Sequence, residues 1–141
     1  MIGRIILDTG PLVAFLDRRD AHHDWAKARF RDTLAPFLTC EAVLTEACFL
    51  LRKAPQLESE VLKHVTRGIL NVGLRLGDEA GAVDALMSRY ANVPMSLADA
   101  CLVRMAEVHP NSRILTLDSD FRVYRKEGRT PIEAIFPADR I

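Results

Sequence analysis

Asp8, Glu46, Asp99 and Asp118, with Asp120 beside the last of these, stand where a solvated surface would not place acids. Asp8 closes the apolar run Arg4-Ile5-Ile6-Leu7, and Asp118 and Asp120 directly follow Arg113-Ile114-Leu115-Thr116-Leu117. On a helical wheel of about 100° per residue, Glu46 lies about 60° from Val43 and about 40° from Leu50, so it points partly inward. Asp99 is followed by Leu102, Val103 and Ala106 at i+3, i+4 and i+7, while Arg104 and Glu107 carry the polar face. A buried lone carboxylate costs several kcal/mol, so buried acids are paired, hydrogen-bonded or bound to metal. Several acids converging need a cation. Mg²⁺ or Mn²⁺ suits an all-oxygen set, whereas the chain has no HxH, HExxH or Cys/His cluster to hold zinc.

Each acid also has a structural reading. Asp8 and Thr9 can cap a helix, and Ser96-Leu97-Ala98-Asp99 fits a capping box in which Asp99 bonds back to the Ser96 backbone. Glu46 can pair with Arg52 or Lys53, and Asp118-Ser119-Asp120 can form a turn. The joint pattern carries more weight than any one member.

The elements that must position these acids alternate between strand and helix. Arg4–Asp8 reads as a central strand covered on both faces, since it lacks polar alternation. Pro11 is expected as the first residue of a helix running to about Asp17. Trp25, Ala28, Phe30 and Leu34 mark the apolar side of a second helix, which Pro36 ends. A strand at Phe37-Leu38-Thr39 precedes helices over about Glu41–Lys53 and Leu57–Asn71, and Val72–Leu76 reads as a third strand. Asp78 is expected to cap a helix reaching about Tyr90. Leu97–Val108 follows as a helix, Arg113–Leu117 as a strand, and Ile132–Phe136 as an edge strand. The pattern predicts a three-layer α/β/α domain with a mainly parallel sheet of four to five strands. In such sheets the active crevice lies beyond the carboxyl ends of the strands, where Asp8 and Asp118 would meet if their strands are neighbours.

A chain of 141 residues, 49% hydrophobic and 27% charged, fits one globular domain spanning 1–141 and excludes disordered and collagen-like classes. It is long enough to bury a core without a structural metal, so a metal would serve chemistry. Nineteen Lys and Arg balance nineteen Asp and Glu, which removes nucleic-acid binding by bulk charge but not a local basic patch. No apolar run approaches a membrane span and no signal peptide is evident, so a cytoplasmic protein is expected. Cys40, Cys48 and Cys101 lack CxxC spacing and read as buried free thiols.

Four short segments in this order resemble a known family. Ile6-Leu7-Asp8-Thr9-Gly10-Pro11-Leu12-Val13-Ala14 resembles the opening motif of PIN-domain ribonucleases. Leu44-Thr45-Glu46 resembles their second acidic motif, Ser96-Leu97-Ala98-Asp99-Ala100 their third, and Leu115-Thr116-Leu117-Asp118-Ser119-Asp120-Phe121 their fourth. Order and spacing match over nearly the whole chain, and the length is most similar to the VapC toxins of VapBC toxin–antitoxin pairs. The resemblance implies a Mg²⁺- or Mn²⁺-dependent endoribonuclease with Asp8, Glu46, Asp99 and Asp118 as its site. Asp8 and Asp99 would be the principal metal ligands, with Glu46 and Asp118 acting at a second site or through water. Asp118 fits the spacing after Thr116 and is favoured, while some members place the acid just before the Phe, which here is Asp120. Thr9, Ser96 and Thr116 are supporting candidates for orienting water or substrate. The implied reaction is metal activation of water and in-line attack on an RNA phosphodiester, without a covalent enzyme intermediate.

The resemblance further implies an RNA substrate, a small VapB-type antitoxin and a homodimer. A solitary PIN nuclease in RNA processing, or a non-catalytic module retaining the fold, are the alternatives. His22 and His23 read as surface residues, and Trp25, Phe30 and Phe49 as core. Arg18-Arg19 and the cluster Arg122, Arg125, Lys126 and Arg129 are equally suited to solvated loops and to RNA phosphates.

Overall fold

The computed structural model describes residues 4–137. Strand β1 (Arg4–Leu7) is followed by α1 (Thr9–Leu16), α2 (His23–Asp32), β2 (Phe37–Thr39), α3 (Glu41–Leu50) and α4 (Pro55–Thr66). Then come β3 (Leu70–Val72), α5 (Leu76–Arg89), α6 (Leu97–Val108) and β4 (Ser112–Leu115). A 3₁₀ turn (Ser119–Arg122) leads into the short strands β5 (Arg125–Lys126), β6 (Thr130–Pro131) and β7 (Ala134–Ile135). β5 and β6 form an antiparallel hairpin whose turn places Glu127 and Gly128 at positive φ.

The main sheet is parallel throughout, in the order β3-β2-β1-β4-β7. Ile5, Ile6 and Leu7 are all buried. Successive strand residues face opposite ways, so both faces of β1 are covered, as its unbroken apolar run requires. Leu12 of α1, Val43 and Ala47 of α3, and Leu102 and Met105 of α6 complete the core with Leu38, Ile114 and Leu115. Burying each large aliphatic side chain contributes about 1.5–3 kcal/mol, and this shared core fixes the strands relative to one another. The chain runs from β1 outward to β3 on one side and takes β4 and β7 on the other, so its direction reverses at β1. The crevice at such a reversal lies beyond the carboxyl ends of β1 and β4.

Several boundaries differ from the sequence expectation for local reasons. α1 begins at Thr9, with Asp8 as its cap, so Pro11 occupies the third helical position, where a missing N–H is still harmless. α4 ends at Thr66 because Gly68 turns the chain with φ 77°, and Ile69 N–H then bonds back to the His64 carbonyl. That early stop moves β3 from the expected Val72–Leu76 to Leu70–Val72. Asp78 does not cap α5: the helix starts at Leu76 after Arg75, and Asp78 sits in the first turn, where its Oδ2 accepts from Arg75 Nε at 3.1 Å. α2 ends at Asp32, which leaves Leu34 93% exposed beyond it and not on its apolar side. Phe49 is likewise on the surface, with the Arg52 guanidinium 4.0 Å above its ring. Among the described residues, no helix is long and apolar enough to cross a membrane.

Candidate metal centre

β1 and β4 pair with Leu7 opposite Leu115, so the next residues along, Asp8 and Thr116, also face each other. The Asp8 N–H donates to the Leu115 carbonyl at 3.0 Å and extends the ladder by one step. The Thr116 hydroxyl donates to Asp8 Oδ2 at 2.6 Å, and the Thr9 N–H donates to Asp8 Oδ1 at 2.7 Å. Both threonines and Asp8 are buried. Sheet register thus fixes Asp8 in place at the crevice floor. Gly10 lets α1 start close against the β4 end, because a Cβ there would lie 3.2 Å from the Leu117 side chain.

The last acidic segment is built onto the same threonine. Asp118 N–H donates to Thr116 Oγ1 at 2.9 Å, and Asp120 N–H donates to Asp118 Oδ1 at 2.9 Å, closing the turn that opens the 3₁₀ segment. From the other side, α6 presents Asp99 in its first turn. Ser96 caps that helix by accepting from the Asp99 N–H at 3.0 Å, which is half of a capping box. The other half, a Ser96 backbone N–H donating to the Asp99 carboxylate, is not formed. Asp99 Oδ2 accepts from the hydroxyl of Tyr124 at 2.7 Å.

Asp8, Thr9, Gly10, Glu46, Asp99, Leu117 and Asp118 line one cleft of about 220 Å³. Four acids singled out by the sequence therefore share it, with Glu46 at the exposed rim. The expected ion pair of Glu46 with Arg52 or Lys53 is absent among the described residues, and Arg52 turns to Phe49 and its carbonyl. The tightest group is Asp99, Asp118 and Asp120, each offering a carboxylate oxygen within 4.8 Å of the others. Asp120 thus joins Asp118 beside Asp99. Ser96 acts as a helix cap and Thr116 as the bridge between two acidic segments.

Electrostatics follow from this crowding. Burial pushes the Asp8 carboxyl up to about 6, against the lowering effect of the Thr116 and Thr9 hydrogen bonds, and the charges of Asp99 and Asp118 raise it further. Asp99 is also raised, first by burial and then by Asp118 and Asp120, with Tyr124 and Ser96 opposing. The Thr9 hydroxyl is buried without a hydrogen-bond partner at the wall of this cleft. Crowded carboxylates, a raised acid and an orphaned hydroxyl fit a divalent cation with its water, because each lacks something that a hard ion and its hydration shell provide.

The basic cluster behaves differently from expectation at one position. Arg125 folds its Nη1 onto the carbonyls of Arg122, Val123 and Tyr124 at 2.8–3.1 Å, closing the end of the 3₁₀ segment and leaving that nitrogen no reach toward a phosphate. His23 is bound through Nδ1 to the Ala14 carbonyl at 2.8 Å and serves packing between α1 and α2.

Thr116 is the most sensitive structural member of the site. Thr116→Val keeps the shape but leaves Asp8 Oδ2 and the Asp118 N–H without their partner. The buried Asp8 oxygen left unsatisfied costs about 1–3 kcal/mol and the half-buried Asp118 N–H less, so urea unfolding should show a loss of roughly 2–4 kcal/mol. Thr116→Ser should recover most of it. Equal midpoints for Thr116→Val and wild type would rule out this bridge.

Compared with curated proteins, the chain matches none. Among solved structures it is similar to Mycobacterium tuberculosis VapC20, described as a toxin that cleaves the sarcin–ricin loop, with a TM-score of 0.76 and 19% identity over 84% of this chain and 93% of that one. The likeness is one of fold. The PIN domain family model matches residues 5–127, a span that contains every acid of the cleft. This chain belongs to the PIN-domain family.

Proposed function

We propose that the protein is a divalent-metal-dependent endoribonuclease, and that it is the toxin of a type II toxin–antitoxin pair. The observation that carries the nuclease reading is the convergence of Asp8, Glu46, Asp99 and Asp118 in one cleft at the carboxyl ends of β1 and β4, with the Thr9 hydroxyl left unpaired in its wall. A carboxylate-lined crevice cannot itself attract a polyanion, so the acids make chemical sense when a cation stands between them and RNA phosphate. Asp8 and Asp99 would be its principal holders, with Asp118, Asp120 and Glu46 as direct or water-mediated partners. Bound there, Mg²⁺ or Mn²⁺ supplies an activated water at neutral pH and neutralises charge developing on the phosphate oxygens. The chain's own part is placement. Thr116 fixes Asp8 and the Asp118 turn to the same strand end, Ser96 starts α6 so that Asp99 faces them, and Thr9 offers a hydroxyl to a water or phosphate oxygen.

The toxin reading rests on the fold shared with VapC20 and on the motif resemblance. It carries with it a single nuclease domain acting in the cytoplasm, a homodimer and a small VapB-type antitoxin. A cationic side chain of such an inhibitor could replace metal among the acids while its backbone blocks RNA.

The test is cleavage of a mixed structured RNA pool by purified protein with Mg²⁺ or Mn²⁺ and with EDTA, alongside Asp99→Asn prepared identically to control for contaminating nuclease. Cleavage that requires metal and disappears in the variant is the expected result. Identical behaviour of the two proteins would overturn the reading in favour of a non-catalytic module.

A further inference from the structure

We propose that Tyr124 is a positioning residue that locks Asp99 to the Asp118–Asp120 turn, so that three carboxylates from two separate segments are held together before a cation arrives. The inference rests on the metal-centre reading above and deepens it. Tyr124 is fully buried, and its hydroxyl donates to Asp99 Oδ2 at 2.7 Å across 25 residues of sequence. Its backbone belongs to the opposite segment: the Tyr124 N–H donates to the Asp120 carbonyl at 3.2 Å, directly after the turn carrying Asp118. One residue thus grips the last acidic segment with its main chain and the α6 acid with its side chain.

The ring has little freedom to let go. It packs edge-on against Tyr90 at 5.1 Å and Phe121 at 5.2 Å, and Phe121 is itself buried. Asp99 and the Asp118–Asp120 turn hold like charges within 4.8 Å of one another, which repel, and the Tyr124 bond opposes that repulsion. The phenol takes one lone pair of Oδ2 and sets the plane of the carboxylate, leaving its other lone pairs for a cation or water. A partner of this kind in metal sites generally contributes about 10–100-fold to metal affinity.

The neighbouring hydroxyl provides a control within the same aromatic cluster. Tyr90 OH accepts from the Arg125 N–H at 2.9 Å and has no hydrogen bond to an acid among the described residues. Mn²⁺ binding to wild type, Tyr124→Phe, Tyr90→Phe and Asp99→Asn should be followed by calorimetry or by loss of the free Mn²⁺ EPR signal, below the thermal transition of every variant. Tyr124→Phe is expected to weaken Mn²⁺ binding about tenfold, with Tyr90→Phe at the wild-type value. In cleavage assays its rate should recover as Mn²⁺ is raised, with KM for RNA unchanged. Wild-type affinity in Tyr124→Phe, or equal weakening in Tyr90→Phe, would overturn the positioning role. Wild type that binds no Mn²⁺ would instead overturn the metal-centre reading itself, and the proposal with it, so the two failures are distinguishable.

Discussion

Asp8→Asn and Asp99→Asn are each expected to lower metal-dependent RNA cleavage about a thousandfold while leaving the fold intact. The magnitude follows from asking the cation and its activated water for several kcal/mol of barrier, at about 1.4 kcal/mol per factor of ten. An amide keeps the shape of the carboxylate, and both positions have partners that tolerate the exchange. Asn at 8 can still accept from the Thr9 N–H and can donate to Thr116 Oγ1 in place of the bond it accepted there, and Asn at 99 can still accept from the Tyr124 hydroxyl. What is lost is charge. Glu46→Gln should cost less, on the order of tenfold, because Glu46 sits at the exposed rim, where solvent already screens it. Asp118→Asn should exceed Asp120→Asn, since Asp118 lines the cleft beside Asp8. The measurement is initial cleavage rate at saturating Mn²⁺, with circular dichroism confirming the fold of each variant. Metal-dependent cleavage surviving in both Asp8→Asn and Asp99→Asn would sink the assignment of these acids.

The legibility of this site in the sequence has a physical basis. β1, β2 and α6 were readable because each carries a strong local pattern: an unbroken apolar run, a short β-forming triplet, and a Ser-capped amphipathic helix. The acids at their ends could then be placed by the rule for parallel sheets, which needs only strand order and direction. The start of β3 was obscured because the α4 pattern runs on past Gly68, and only the positive φ there reveals the stop. Asp78 looked like a cap because Asp favours that position, but Arg75 pairs with it from one turn earlier and the helix begins between them. Phe49 and Leu34 have core side chains on solvent-facing stretches, and composition alone does not distinguish these from buried ones. Tyr124 gave no signal at all. Its contact with Asp99 spans 25 residues and depends on how the hairpin returns to α6, which is a tertiary fact. A Tyr four residues after an acidic turn was the one available hint.

Asp8 also sets a pH dependence of stability in the metal-free protein. Its carboxyl rises from 3.8 to about 6 on folding, chiefly through burial. A raised folded value means the folded state holds its proton more tightly than the unfolded chain. The stability Asp8 contributes is therefore fully present below 3.8 and is lost as pH rises through about 6. At about 1.4 kcal/mol per pH unit, roughly 3 kcal/mol is lost by neutral pH. Asp8→Asn stays neutral throughout and escapes that loss, so it should melt about 5–10 °C above wild type at pH 7.5 and close to it near pH 4. Acids away from the cleft, such as Asp17 with its lowered value, titrate in both proteins and cancel in the difference. A cation should narrow the gap. At about 100-fold over its dissociation constant, Mn²⁺ adds roughly 2.7 kcal/mol to a protein that binds it. Wild type at pH 7.5 should then regain most of the gap, while Asp8→Asn, short of one ligand charge, moves little. Scanning calorimetry of both proteins at the two pH values, with and without Mn²⁺, reads all of these shifts. A melting difference independent of pH would mean that Asp8 keeps its charge at little cost in the folded state, through its hydrogen bonds to Thr9 and Thr116 alone.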